Sequence, residues 1–269
     1  MTKLKKIPFT KMAGTGNDFI VFDNRSKLFS GRETKFFAEI CRRRVSVGAD
    51  GVLLLEEGER APIRMEYFNS DGREAAMCGN GARCIGFFAR WKKIVSSDAF
   101  PLEAADSVHR VRVEGNNVTL GMARPTGLRS GLNILREPGF TEGGYVNVGV
   151  PHYVIFVRDA NRVDVENAGE YYRNHDVFSQ GTNVNFVQLL EKNQIRVRTY
   201  ERGVEGETLS CGTGCVASAL FAARQYDYTS PVQVLTRGGE LTVRFDEKWE
   251  EVSLTGRVEI AYEGVLYLG

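Results

Sequence analysis

Two cysteines open the same short string in distant parts of the chain. Residues 78–84 read CGNGARC and residues 211–215 read CGTGC. Each Cys-Gly-polar-Gly runs into an apolar stretch, Ala82 to Arg90 after the first and Val216 to Arg224 after the second. A helix apolar nearly all round is a core helix, so each cysteine is expected at the N-terminus of a buried helix. Unpaired N–H groups and a positive partial charge collect there. Such a site favours thiolate and binds a carboxylate, and the glycines let the backbone come close to a ligand. A thiolate can remove a proton from carbon and a thiol can return one. Two such sites acting on one carbon from opposite faces would invert it. With each sulfur in near-attack contact, the pair would stand about 6–7 Å apart with substrate bound. Backbone donors aimed at the carboxylate would hold the charge that grows as the α proton leaves, and exclusion of water would strengthen them.

The same cysteines admit other chemistry. Cys78, Cys84, Cys211 and Cys215 have the count for zinc, but five and three intervening residues are poor spacings for it. A Cys78–Cys211 disulfide would be an oxidised, inactive state. A thiol redox protein or a zinc-bound interaction module is the alternative of another class. Cys41, Cys84 and Cys215 read as buried apolar thiols.

What makes the two strings one motif is a repeat. Cys78 falls on Cys211 at an offset of 133, with Glu74 and Glu207 four residues upstream of each; these glutamates are candidate caps for the two helices. Residues 48–53, GADGVL, fall on residues 181–186, GTNVNF, at the same offset. Residues 14–20, GTGNDFI, fall on residues 149–155, GVPHYVI, at an offset of 135, which sets Asn17 against His152. The chain therefore reads as one domain written twice, with the join in the Gly- and Pro-bearing stretch 121–131. The expected halves are residues 1–122 with the C-terminal strand 258–269, carrying Cys78, and residues 123–257, carrying Cys211. Pseudo-symmetric halves would bring the two cysteines to opposite sides of an interdomain cleft, a common place for a ligand.

The elements that must position these residues are mostly strands. Short runs rich in β-branched residues recur at 20–22, 51–55, 111–114, 154–157, 184–187, 195–198, 241–244 and 252–254. Asn116-Asn117 and residues 237–240 are turn signals between such runs. Thr34 to Arg44 is a further helix candidate, with Arg42, Arg43 and Arg44 as a solvated helix end. The expectation is an α/β (α+β) protein with β-rich layers wrapped round central helices.

Composition excludes several classes of partner. Lys plus Arg number 35 and Asp plus Glu 34, so no field favours nucleic acid or an anionic membrane. The first residues, MTKLKKIPFTK, lack the apolar run of a secretory signal, and no window approaches the roughly 18 apolar residues of a membrane span. Five cysteines at irregular spacing argue against a secreted disulfide framework and for a reducing cytoplasm.

Several strings together resemble diaminopimelate epimerase. They are KMAGTGNDF at 11–19, FNSDG at 68–72, MCGNGARC at 77–84, Pro151-His152, YERG at 200–203, GET at 206–208 and CGTG at 211–214, so the resemblance covers almost the whole chain. It implies interconversion of LL- and meso-2,6-diaminopimelate by two cysteines, on the route to lysine and peptidoglycan. It implies no metal and no pyridoxal phosphate or other cofactor, a homodimer, and two pseudo-symmetric domains, each a β-barrel-like sheet around a central helix. Carried over by position, Cys78 and Cys211 are implied as the acid/base thiols. Gly79, Asn80, Gly212 and Thr213 would offer backbone donors to the reacting carboxylate. Asn17, Asn69 and Asn183 would anchor the substrate, Arg202 its distal carboxylate and Glu201 an ammonium, with His152 lining the reacting centre. Two positions depart from the family pattern. Val150 stands where many members have Asn, and Gly51 where many have Gln. Both thin the polar contacts to substrate, and a racemase for another amino acid is the nearest rival.

Overall fold

The computed structural model describes residues 5–75, 77–105, 107–191 and 193–268. In chain order the first strands are β1 (Lys5–Gly14), β2 (Asn17–Asp23), β3 (Gly51–Glu56), β4 (Ile63–Asn69), β5 (Glu74–Ala75), β6 (Ala99–Ala104), β7 (Ser107–Glu114) and β8 (Asn117–Gly121), with helices α1 (Thr34–Cys41) and α2 (Gly79–Trp91). There follow β9 (Thr126–Arg129), β10 (Thr141–Asn147), β11 (Pro151–Phe156), β12 (Asn183–Leu189), β13 (Gln194–Glu201), β14 (Gly206–Thr208), β15 (Val232–Thr236) and β16 (Gly239–Phe245), with helices α3 (Val165–Arg173) and α4 (Gly212–Tyr226); the long strand β17 (Val252–Leu268) comes last. Among the described residues no helix is long and apolar enough to cross a membrane. The chain divides into two compact units. One runs up to Leu120 and takes back the stretch from Gly256 onward; the other is Gly121–Thr255.

In the first unit β1 pairs antiparallel with β2, β2 parallel with β3, β3 antiparallel with β4, β4 parallel with β6, and β6 antiparallel with β7. β8 follows β7 antiparallel, and β17 pairs with both β1 and β8, which closes an eight-stranded barrel. The second unit repeats the succession: β10 to β11 antiparallel, β11 to β12 parallel, β12 to β13 antiparallel, β13 to β15 parallel, β15 to β16 antiparallel. The short β5 and β14 hang on equivalent strands, β4 and β13. Duplication is thus written in the hydrogen-bond ladders as well as in the sequence.

Each unit's sheet wraps a helix. α2 packs against β1, β2, β3, β4, β6 and β7, and α4 against β10, β11, β12, β13, β15 and β16. Strands β3 and β11 are buried along their whole length, as strands covered on both faces are, and so each holds an apolar run, 52–55 and 153–156. Val52 and Leu54 face outward into a cluster with Phe37 and Ile40 of α1. Leu53 faces inward, its Cδ2 only 2.9 Å from where a Cβ on Gly81 would stand in the first turn of α2. In the second unit Tyr153, Ile155, Val184 and Phe186 meet α3 on one side, while Val154, Phe156 and Val187 meet α4 on the other. Burying each such large apolar side chain contributes roughly 1.5–3 kcal/mol.

One expectation is corrected. The Thr34–Arg44 helix stops at Cys41, because Arg42 turns to extended backbone and Arg44 takes φ +69°. Arg42, Arg43 and Arg44 are exposed, as expected, and the Arg43 guanidinium also meets Asp18 and Asp50, at 2.6 and 2.7 Å. Helix α3 was not legible from periodicity, since Gly169 interrupts it; a Cβ there would lie 2.4 Å from Tyr200 Cβ, so the glycine permits close packing on β13. Its start does carry a signal, as Asp164 caps the N–H of Asn167.

Candidate active site

Each cysteine sits at the N-cap of the helix its sheet wraps. Cys78 is half-buried with extended backbone, and its Sγ accepts from the Gly81 N–H at 3.4 Å. The next amide, Ala82, donates to Cys78 O, so the N–H groups of Gly79 and Asn80 lie outside the helix ladder and point from its N-terminus. Cys211 is buried, again with extended backbone, and Cys215 N–H donates to its carbonyl. All five cysteines are thiols. Burial pushes Cys84 up to about 12 and Cys41 up to about 11, which marks them as inert.

Around Cys78 the polar groups form a directed chain. The Asn80 Nδ2 donates to Asn17 Oδ1 at 2.7 Å, and Asn17 Nδ2 donates to Asp50 Oδ2 at 3.1 Å. Asn80 Oδ1 accepts from Arg83 Nη2 at 2.6 Å, and the same nitrogen reaches Thr15 Oγ1 at 3.1 Å. A carboxylate at one end can only accept and a guanidinium at the other can only donate, so both amides have their orientation fixed. Beyond Asp50 the cluster continues through Arg43 to Asp18, which also meets Lys11 Nζ at 2.8 Å. Burial would raise Asp18, but Arg43 and Lys11 overcome it and hold the carboxyl down at about 2. The Asn80 side chain is therefore spent inside the protein. Asn69 stands at the exposed end of β4, opposite Gly51. A Cβ on Gly51 would come 2.5 Å from Phe68 O and 2.6 Å from Tyr67 Cε2, so this backbone has no room for a side chain there.

Around Cys211 the groups differ but the pattern repeats. Thr213 Oγ1 lies 3.5 Å from Cys211 Sγ and 2.8 Å from His152 Nε2. His152 Nδ1 faces Asn185 Nδ2 at 3.1 Å. Burial pulls His152 down to about 3, so the imidazole is neutral across the ordinary pH range. Burial, and then the Glu201 carboxylate, push the Cys211 thiol well above the usual range. Glu201, at the end of β13, is itself raised by burial. Asn183 donates to Pro151 O at 2.9 Å and accepts from the Arg202 N–H at 2.8 Å, so its amide braces the loop that carries Arg202. Arg202 Nη1 donates to Gln180 O at 2.9 Å. Glu207 does not cap α4. It forms a bidentate pair with Arg198, at 2.6 and 2.7 Å, and meets Arg237 at 2.7 Å.

Both half-sites contain residues that sequence reasoning missed. In the first unit they are Thr15, Asp50, Arg83 and Arg43; in the second, Asn185. The one available signal was a polar residue in an otherwise apolar run, as in the Val184-Asn185-Phe186 segment.

A helix wrapped by a sheet, built twice, defines a fold that solved structures share. A phenazine biosynthesis protein of the PhzF family from Bacillus anthracis is similar with a TM-score of 0.73 and 15% identity, over 97% of this chain and 99% of that one. A hydroxyproline epimerase from Agrobacterium vitis, with bound trans-4-hydroxy-L-proline, is similar with a TM-score of 0.70 and 15% identity, over 99% of this chain and 93% of that one. At such identities the likeness is one of fold. Sequence goes further: the model of the diaminopimelate epimerase family matches residues 9–126 and again 144–261, one copy per half. A diaminopimelate epimerase from Chlorobaculum tepidum is 41% identical over 262 residues, covering 96% of this chain and all of the relative. The chain belongs to the diaminopimelate epimerase family, a family of isomerases.

Proposed function

We propose that the chain interconverts LL- and meso-2,6-diaminopimelate, without metal or organic cofactor, by proton transfer between the substrate α carbon and the thiols of Cys78 and Cys211. The observation that carries this reading is the paired N-cap position of the two cysteines in a chain of this family. The N–H groups of Gly79, Asn80, Gly212 and Thr213 receive the α carboxylate and hold the charge that develops on it. One sulfur, as thiolate, takes the α proton, and the other, as thiol, delivers a proton to the opposite face; the roles exchange in the reverse direction. The raised Cys211 thiol suits the donor in the resting protein. Asn17, Asn69 and Asn183 each keep amide capacity for a ligand. Arg202 takes the distal carboxylate as a planar fork, and Glu201 the ammonium. The pathway context is lysine and peptidoglycan precursor synthesis in the cytoplasm, by a homodimer. A two-cysteine racemase for another amino acid is the second reading, favoured by Val150, which brings no side-chain hydrogen bond.

The test is isotope exchange under reducing conditions. LL-diaminopimelate in deuterated water should invert and gain deuterium at the α position. Cys78→Ala and Cys211→Ala should each lower kcat by about 10²-fold or more, the range for loss of a general acid or base. No exchange with diaminopimelate would remove the substrate assignment, and full activity in either variant would remove the two-base mechanism.

A further inference from the structure

We propose that Asn185 is a positioning residue for the Cys211 thiol: by donating to His152 Nδ1 it places the imidazole proton on Nε2, makes Thr213 Oγ1 the acceptor of that proton, and leaves the Thr213 hydroxyl hydrogen to be aimed at Cys211 Sγ. This rests on the reading of Cys211 as a reacting thiol and adds a residue to it.

The direction of every step follows from what each group can do. Asn185 is fully buried, and its Nδ2 lies 3.2 Å from the Tyr153 carbonyl, which can only accept. The atom facing that carbonyl is therefore the amide nitrogen. The other side of the amide, Oδ1, accepts from Thr199 Oγ1 at 3.0 Å, so the orientation is held from both ends. The second Nδ2 hydrogen points to His152 Nδ1 at 3.1 Å, which must then be the unprotonated nitrogen. A neutral imidazole carries one proton, so it sits on Nε2 and is donated to Thr213 Oγ1 at 2.8 Å. A hydroxyl has a single hydrogen. Had Nε2 been the acceptor, that hydrogen would be spent on the ring; with Nε2 as donor, it is left for the sulfur at 3.5 Å. Glycine at 214 is part of the device, because a Cβ there would lie 2.3 Å from Asn185 Oδ1. The second glycine of the CGTG string thus makes room for Asn185 as well as opening the helix.

The relay works against the other groups around the thiol. Glu201 from β13 and the neighbouring Cys215 of α4 both oppose ionisation of Cys211, and the Gly214 N–H and the Thr213 hydroxyl favour it. The Arg202 charge opposes protonation of His152. The Thr213 donor is the one contribution whose sign the tautomer of His152 controls. When Cys211 carries charge during turnover, Asn185 keeps a proton pointing at it.

The first measurement needs no variant. The chain has three histidines, and nitrogen-15 NMR of the whole protein should show His152 with a pyridine-type Nδ1 and a pyrrole-type Nε2; the reverse tautomer would overturn the proposal. The second measurement follows alkylation of Cys211 against pH, read on the Cys211 peptide by mass spectrometry. Asn185→Asp turns the Nδ1 partner into an acceptor and should move the alkylation midpoint up by about 1 pH unit, the worth of one hydrogen bond to a charged group, and lower kcat about tenfold with KM nearly unchanged. Thr213→Val should produce the same shift, Thr213→Ser should restore the wild-type profile, and Asn185→Asp added to Thr213→Val should add nothing. An unshifted Asn185→Asp profile, or full additivity of the two changes, would overturn the relay. If Asn185→Asp does not fold, the tautomer and the Val-against-Ser comparison at 213 still decide. Retained inversion in Cys211→Ser would instead sink the catalytic reading while leaving the alkylation result standing.

Discussion

A histidine with 0% exposure and, among the described residues, no anionic partner makes an acid-labile joint in the second unit. The folded-state value of His152 is about 3 against an ordinary 6.5. Between those limits the unfolded chain binds a proton that the folded chain refuses, so stability falls as pH drops below about 6.5, by up to about 1.4 kcal/mol per unit. Asp18 acts in a lower window, because its carboxyl, lowered from 3.8 to about 2, supports the fold above that range and ceases to do so only as pH falls through 2. Raised Glu201 has the opposite sign to Asp18. Urea unfolding at pH 6.5 and pH 5 should therefore show a loss about 2 kcal/mol larger in the wild type than in His152→Gln. Parallel losses in the two proteins would contradict a buried neutral imidazole. At this scale the sequence was partly legible. The cysteines announced themselves because a rare string occurred twice. Asn185 did not, because its partner His152 lies on the parallel neighbour β11, and strand neighbours are not adjacent in sequence. The ion pairs of Arg43 were hidden for the same reason: Asp18 and Asp50 reach it only once β2 and β3 pair.

The two central helices show why similar glycines carry different demands. Gly214 of α4 stands against Asn185 Oδ1 at 2.3 Å from its missing Cβ, while the nearest atom to a Cβ on Gly79 of α2 is Leu120 Cδ2 at 4.0 Å. Gly214→Ala should cost about 2–4 kcal/mol, since the methyl must displace a buried amide from Thr199 and His152. Gly79→Ala should leave stability within about 1 kcal/mol, helped by the better helix propensity of alanine. Thermal unfolding of the pair checks this, and equal destabilisation would mean that the Asn185 packing has no role. Strands were the most legible elements, because buried β3 and β11 carry the apolar runs 52–55 and 153–156. Helix α3 was the least, because close packing on Tyr200 demands a glycine at a position where propensity argues against a helix.

Over the whole chain, duplication preserved the ladders and let the chemistry diverge. Both units run antiparallel, parallel, antiparallel, parallel, antiparallel round their central helix. Yet an amide–amide–carboxylate chain serves the helix of Cys78 and a hydroxyl–imidazole–amide chain that of Cys211. Identical thiols are thereby set in unlike surroundings. The duplication also leaves the first barrel discontinuous in sequence. Its ring closes only through β17, which lies on β1 from Lys5 opposite Leu268 to Gly14 opposite Val258, and on β8 at its other edge. Removing residues 257–269 should therefore open β1 and β8 together and uncover Ile7 and Phe9, whose burial belongs to the β2–β3–α1 core. Unpaired edges and an uncovered apolar face both favour local unfolding and aggregation. Hydrogen exchange on the shortened chain should show β1 and β8 amides exchanging near the unfolded rate, while β11, β12 and β13, whose ladders lie wholly within the second unit, stay protected. A synthetic peptide of residues 256–269 should restore the lost protection. Unchanged protection of β1 in the shortened chain would show that seven strands hold the first barrel without the eighth.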